Sequence, residues 1–283
     1  MNLSLMNEPI KNAELLAHLA SAAYLDDPTD YPDWETFGIQ KWQPLAPSVR
    51  VVQGFWAMND DNLFLVFRGT DDIRDMLFNV NVLSVQGYGG RVHRGFADIL
   101  ERSWPTIRQE AEKLQKEPTS DKKSGGRTLW IAGHSLGGAL AVLAGQRLIA
   151  EGLATPTSMA VYTYGQPRVG DEEFSRNYPG NLCRYLHRHD IVAAVPPREI
   201  LPMFSHVGDN LWLAGRNGVM TSRPNHWMPF AVRYAIKQLL GMIRNPDRSR
   251  WLKYLGGTLL VGWGIKDHGM RHYVKELELA AKR

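Results

Sequence analysis

A single cysteine, Cys183, stands in a chain of 283 residues. It excludes an internal disulfide framework and fits a reducing compartment. No stretch reaches the roughly 18 consecutive apolar residues of a membrane-spanning helix. The nearest approach, 251–265, is interrupted by Lys253 and several glycines. The first sixteen residues lack a basic start, an apolar run and a small-residue cleavage site, so they do not read as a signal peptide. A cytoplasmic setting, with association at a membrane surface, is the resulting expectation. Metal-binding spacings such as HExxH or paired cysteines do not occur, and no metal is expected. The net charge of +4 favours anionic surfaces without choosing one. Its basic residues form no nucleic-acid recognition module, so nucleic acid is not an expected partner.

Hydrophobic residues make up 44% of the chain and charged residues 22%, enough for one large core and against extended disorder. No internal repeat or clean boundary divides it, and 1–283 reads as one domain. Residues 11–25 place Leu15, Leu16, Leu19 and Ala22 on one helical face. Two strand-like runs, 50–58 and 63–67, flank Asn59-Asp60-Asp61-Asn62, a hairpin turn by composition. Helical spacing returns over 95–116, and 117–127 is a polar loop. Buried-strand patterns over 128–132, 159–164 and 181–186 then alternate with helical segments. That alternation predicts an α/β fold with a mostly parallel central sheet and helices on both faces.

The strand at 128–132 runs into Gly133-His134-Ser135-Leu136-Gly137 and then a small-residue helix, 138–150. Strand, Gly-x-Ser-x-Gly and helix in this order make a nucleophile elbow, in which the serine hydroxyl stands exposed on a sharp turn. Serine is a poor nucleophile until a base takes its proton, and the base needs a carboxylate to orient it. Ser135 is therefore the candidate nucleophile. In this architecture the acid and then the histidine follow in the chain. Asp190 ends the strand at 181–186 plus its polar extension, where parallel sheets collect their site residues. Asp171, the rival, begins a helix and reads as an N-terminal cap. His206, His226, His268 and His272 all satisfy the chain order for the base. His93 and His134 read as structural, and Cys183 as a buried strand residue.

Five ordered segments carry a resemblance: Phe67-Arg68-Gly69-Thr70, Val92-His93-Arg94-Gly95-Phe96, 133–141 (GHSLGGALA), 164–170 (YGQPRVG) and 190–197. Together they resemble the class-three lipases, the family of fungal-type triacylglycerol lipases. The resemblance implies an α/β-hydrolase fold and a cofactor-free Ser-His-Asp lipase acting on acyl lipids through an acyl-enzyme. It assigns Ser135 as nucleophile, Asp190 as triad acid and His268, in Asp267-His268-Gly269-Met270-Arg271-His272-Tyr273, as base, with His206 in reserve. It implies an oxyanion hole formed by Thr70 and the backbone of Leu136. Phe204-Ser205-His206-Val207-Gly208 resembles a strand-forming segment of the family. Phospholipase, galactolipase or soluble-ester esterase activity, or a non-catalytic binding role on the same fold, are the alternatives.

Two regions suggest contact with a lipid surface. Within 71–82, Ile73, Met76, Leu77 and Val80 form an apolar helical stripe, which the resemblance reads as a lid. Over 214–266, Arg223, Arg233, Lys237, Arg244, Arg248, Arg250 and Lys253 accompany Phe230, Val232, Leu239, Leu240 and Ile243. This basic, apolar insertion has the composition of an interfacial segment.

Overall fold

The computed structural model describes residues 9–45, 53–70, 83–117, 126–188, 190–196, 203–208, 210–213, 220–223, 265 and 267–282. The first helix, α1 (Pro9–Ala22), precedes the strands β1 (Lys41–Pro44), β2 (Gly54–Met58) and β3 (Asn62–Phe67). A short hairpin of β4 (Ser84–Gly87) and β5 (Gly90–His93) leads into the long helix α2 (Arg94–Lys116). Then follow β6 (Thr128–His134), α3 (Leu136–Ala150), β7 (Met159–Tyr164), α4 (Glu172–Arg176) and β8 (Asn181–His187). The strands β9 (Asn210–Leu213) and β10 (Met220–Arg223) and the helix α5 (Met270–Ala281) complete the described chain.

Eight strands form one sheet in the order β1-β2-β3-β6-β7-β8-β9-β10. The pairings from β3 through β9 are parallel, and antiparallel strands close both edges. The reason lies in the central sequences: β3, NLFLVF, and β7, MAVYTY, are buried along their whole length. A strand apolar on both sides has to be covered on both sides. Along β6, Leu129 and Ile131 point to one core and Trp130 and Ala132 to the other. Helices α2 and α3 lie on the first side, α1 and α5 on the second.

The hairpin at 59–62 forms as its composition dictates, Asn59 Oδ1 accepting the backbone N–H of Asp61 and of Asn62. Asp171 caps α4, its carboxylate accepting the Phe174 N–H at 2.7 Å. Two expectations change. Residues 204–208 form no strand, only an isolated bridge between Ser205 and Gly170. The following Gly208, at φ +64°, turns the chain out of extended geometry. Cys183 is only partly buried, because it lies near the start of β8, where the burial pattern is still open. The segment 71–82 and, apart from β10 and Ile265, the insertion 214–266 lie outside the described residues. No described helix is long and apolar enough to cross a membrane.

Candidate active site

Strand β6 ends at His134, helix α3 begins at Leu136, and the whole reversal falls on Ser135, at φ 57° and ψ −126°. A non-glycine residue seldom occupies this region, and it persists only where the surroundings enforce it. The enforcement is visible on both sides. The Ser135 N–H donates to Tyr164 O on β7 at 2.9 Å, and Ser135 O accepts the Gly138 N–H at 3.0 Å. A Cβ on Gly133 would lie 2.2 Å from Gly137 O, and one on Gly137 would lie 2.4 Å from Phe67 O. Only glycine at both positions allows strand and helix to meet at this angle.

Parallel register then gathers the rest. Phe67 of β3 is opposite Gly133 of β6, so Thr70 and Ser135 leave neighbouring strands at the same edge of the sheet. Thr70 is half-buried there, directly after Gly69, whose Cβ would stand 3.1 Å from Ser135 Cβ. Leu136 is the first residue of α3, a fifteen-residue helix whose first N–H groups face the same edge. Such a helix start favours negative charge.

Asp190 follows β8 and is buried. Its Oδ1 accepts the Val192 N–H at 2.9 Å, and its Oδ2 accepts both His268 Nδ1–H at 2.7 Å and the Tyr273 hydroxyl at 2.5 Å. A carboxylate partner at Nδ1 places the proton there and leaves the Nε2 lone pair of His268 available. Gly165, at φ +58°, makes room: a Cβ there would be 2.5 Å from Asp190 Oδ2 and 2.7 Å from the His268 ring. The same His268 ring stacks on His134, the residue before Ser135, with centroids 4.4 Å apart. Ser135 Oγ and His268 Nε2 are both buried and both without a hydrogen-bond partner. They are the two atoms through which a serine would pass its proton to a base. Catalytic hydrogen bonds commonly close only when substrate is bound.

The other candidate bases are elsewhere or otherwise engaged. His206 is buried with Nε2 bound to Ala193 O at 2.7 Å. His272 stacks on His187 at 5.2 Å. His226 lies outside the described residues. Burial pushes the His134 imidazole well below its ordinary range, and the neighbouring His268 pushes it further. Burial alone takes His93 down to about 4.

Two supports of the site were not read from the sequence. Tyr273, five residues after His268, donates to Asp190 and accepts the His187 N–H at 3.0 Å, fixing the end of β8 to α5. Burial first, and the Asp190 charge second, raise its hydroxyl well above the ordinary tyrosine range, so it stays a donor. Its signal was that a buried tyrosine needs a partner for its hydroxyl. Arg168, fully buried, donates from Nη1 to Ala194 O and Pro196 O and so braces the turn after Asp190. Among the described residues no cluster of ligating side chains could hold a metal.

The family model described as Lipase (class 3) matches residues 64–200. A lipase of Rhizopus niveus is 29% identical over 221 residues, covering 70% of this chain and 52% of its own length. The chain thus spans about half the length of that curated relative. Among solved structures, MDLA of Penicillium cyclopium superposes with a TM-score of 0.67 at 20% identity, covering 82% of this chain and 94% of that one. The triacylglyceride lipase of Rhizomucor miehei gives 0.61 at 22% identity, with 78% and 85% covered. These likenesses show the α/β-hydrolase fold, and the matched segment, which contains the elbow serine and the buried aspartate, is similar to the class 3 lipases.

Proposed function

We propose that the protein hydrolyses carboxylic esters of acyl lipids through a covalent acyl-enzyme on Ser135. The observation that carries this reading is the Asp190–His268 pair beside the elbow serine, with Ser135 Oγ and His268 Nε2 both buried and both without a hydrogen-bond partner. In the first half-reaction His268 Nε2 takes the Ser135 proton as Oγ attacks the ester carbonyl. Asp190 holds the imidazole and balances the imidazolium that forms. The N–H of Leu136 and the Thr70 residue receive the oxyanion, and each such donor is worth about 10²–10³ in rate. The imidazolium then protonates the leaving alcohol. Water repeats the sequence on the acyl-enzyme, with His268 again as base. The scheme requires no cofactor.

The preference for lipids rests on the relatives, which are named lipases, and on composition. The apolar stripe in 71–82 and the basic, apolar insertion 214–266 suit a lipid surface. A single cysteine suits a reducing, cytoplasmic setting.

The test is hydrolysis of p-nitrophenyl esters of graded chain length by wild type, Ser135→Ala, Asp190→Asn and His268→Ala. Longer chains should be preferred, more so with vesicles. Ser135→Ala and His268→Ala should each lose about 10⁴–10⁶ in kcat, and Asp190→Asn about 10⁴. A wild type that is inert and unlabelled by a fluorophosphonate defeats the reading, and a fully active His268→Ala defeats the assignment of the base.

A further inference from the structure

The proposed reaction makes no use of His134, yet both of its ring nitrogens are committed. Nε2 lies 2.7 Å from the backbone carbonyl of His268. A carbonyl only accepts, so Nε2 carries the proton and Nδ1 is left as an acceptor. The Tyr24 hydroxyl stands 2.7 Å from that Nδ1 and is the donor to it. The His134 ring is buried and lies nearly parallel to the His268 ring, at 29° and 4.4 Å between centroids.

Tyr24 is itself fixed at the site. It follows α1 by two residues, and the Arg68 guanidinium lies over its ring at 5.5 Å. A Cβ on Gly69 would fall 2.3 Å from the Tyr24 hydroxyl oxygen, 2.7 Å from His134 O and 3.1 Å from Ser135 Cβ. The hydroxyl therefore sits where the end of β3, the end of β6 and the nucleophile converge.

On the reading of Ser135 and His268 as nucleophile and base, we infer that Tyr24 and His134 are positioning residues for His268. The Tyr24 O–H fixes His134 as the Nε2–H tautomer, and that N–H anchors the His268 main chain at the start of α5. The neutral ring then lies against the His268 imidazole, where a π face favours the positive charge that His268 acquires on taking the serine proton. A charged neighbour would oppose it. The depressed basicity of His134 agrees with a ring that stays neutral.

Three variants separate anchoring from packing. His134→Phe keeps the stacked ring and removes both hydrogen bonds. His134→Gln keeps an N–H donor for the His268 carbonyl. Tyr24→Phe removes only the hydroxyl. Two readouts apply: kcat and KM on a p-nitrophenyl ester, and the low-field ¹H resonance of His268 Nδ1–H. His134→Phe and Tyr24→Phe should lower kcat about tenfold with KM unchanged, the size of one lost hydrogen bond, and should shift or broaden the resonance. His134→Gln should recover kcat to within about threefold of wild type, since its donor is kept.

Folded His134→Phe and Tyr24→Phe proteins with wild-type kcat and an unchanged resonance would overturn the inference. So would a His134→Gln protein as slow as His134→Phe, because the donor it keeps would then contribute nothing. If His134→Phe does not fold, Tyr24→Phe decides alone. The resonance reports His268 without turnover. An inert, unlabelled wild type would therefore remove the hydrolase reading, while an unperturbed resonance in the variants would remove this one.

Discussion

The two faces of the central sheet bury different chemistry. On the side of α2 and α3 the core is built from Leu, Ile, Val and Ala, with Trp56, Phe67, Phe96, Trp104 and Phe174 among them, and none of its fully buried members is a tyrosine. On the side of α1 and α5 the core contains four buried tyrosines, Tyr162, Tyr164, Tyr185 and Tyr273. Tyrosine brings the apolar area of an aromatic ring and a hydroxyl that must be satisfied. Tyr164 meets that need on Ala13 O of α1, and Tyr273 on Asp190. The tyrosine-bearing face therefore ties α1 and α5 to the sheet by directed bonds, and α5 follows directly from the loop that carries the candidate base. The alkyl face holds the elbow helix α3 mainly by apolar packing, with directed bonds at its far end from Gln146 to Tyr88 O and from Arg147 to Glu101. Non-directional packing suffices for stability, whereas holding an imidazole in one orientation takes hydrogen bonds.

The contrast predicts that the two faces will respond differently to mutation. Ile131→Ala, on the alkyl face and fully buried, should cost about 2–5 kcal/mol in denaturant unfolding and leave kcat per folded molecule within about twofold of wild type. Tyr273→Phe, on the other face, should lower kcat roughly tenfold through the lost bond to Asp190 while shifting the unfolding midpoint far less than Ile131→Ala. A Tyr273→Phe protein with full kcat, or an Ile131→Ala protein with intact stability and poor kcat, would break the division of labour.

The smallest effect sharpens it. His93 packs against Phe96 at 4.2 Å and Phe204 at 5.4 Å, with both ring nitrogens unpartnered. Its folded value of about 4 lies below the ordinary 6.5, so the unfolded chain binds a proton that the folded one refuses. The stability tied to its neutral form is fully present above 6.5 and is lost as pH falls towards 4. His93→Phe should therefore lose less stability than wild type between about pH 7 and about pH 4.5, as followed by urea midpoints. The remaining acid sensitivity should include His134 and His187, which burial also depresses. An unchanged pH dependence would remove His93 from that account.

The sequence by itself determined what is local. Gly133, Ser135 and Gly137 lie within five residues, and the steric demand that couples them acts over the same distance, so the elbow was legible. The alternation of strands and helices, the hairpin at 59–62 and the cap at Asp171 were legible for the same reason. Asp190 could be picked out as the acidic residue that follows a buried parallel strand.

Tertiary structure decided the pairings across long separations. Chain order left His206, His226, His268 and His272 equivalent, and only the family resemblance singled out His268. In the fold, 78 residues separate Asp190 from the imidazole it holds, 83 separate it from Tyr273, and 110 separate Tyr24 from His134. No periodicity or spacing encodes such partners. They meet because α1 and α5 bury their apolar stripes on the same face of the sheet, and that choice of face is made by packing the whole core, not by any one segment.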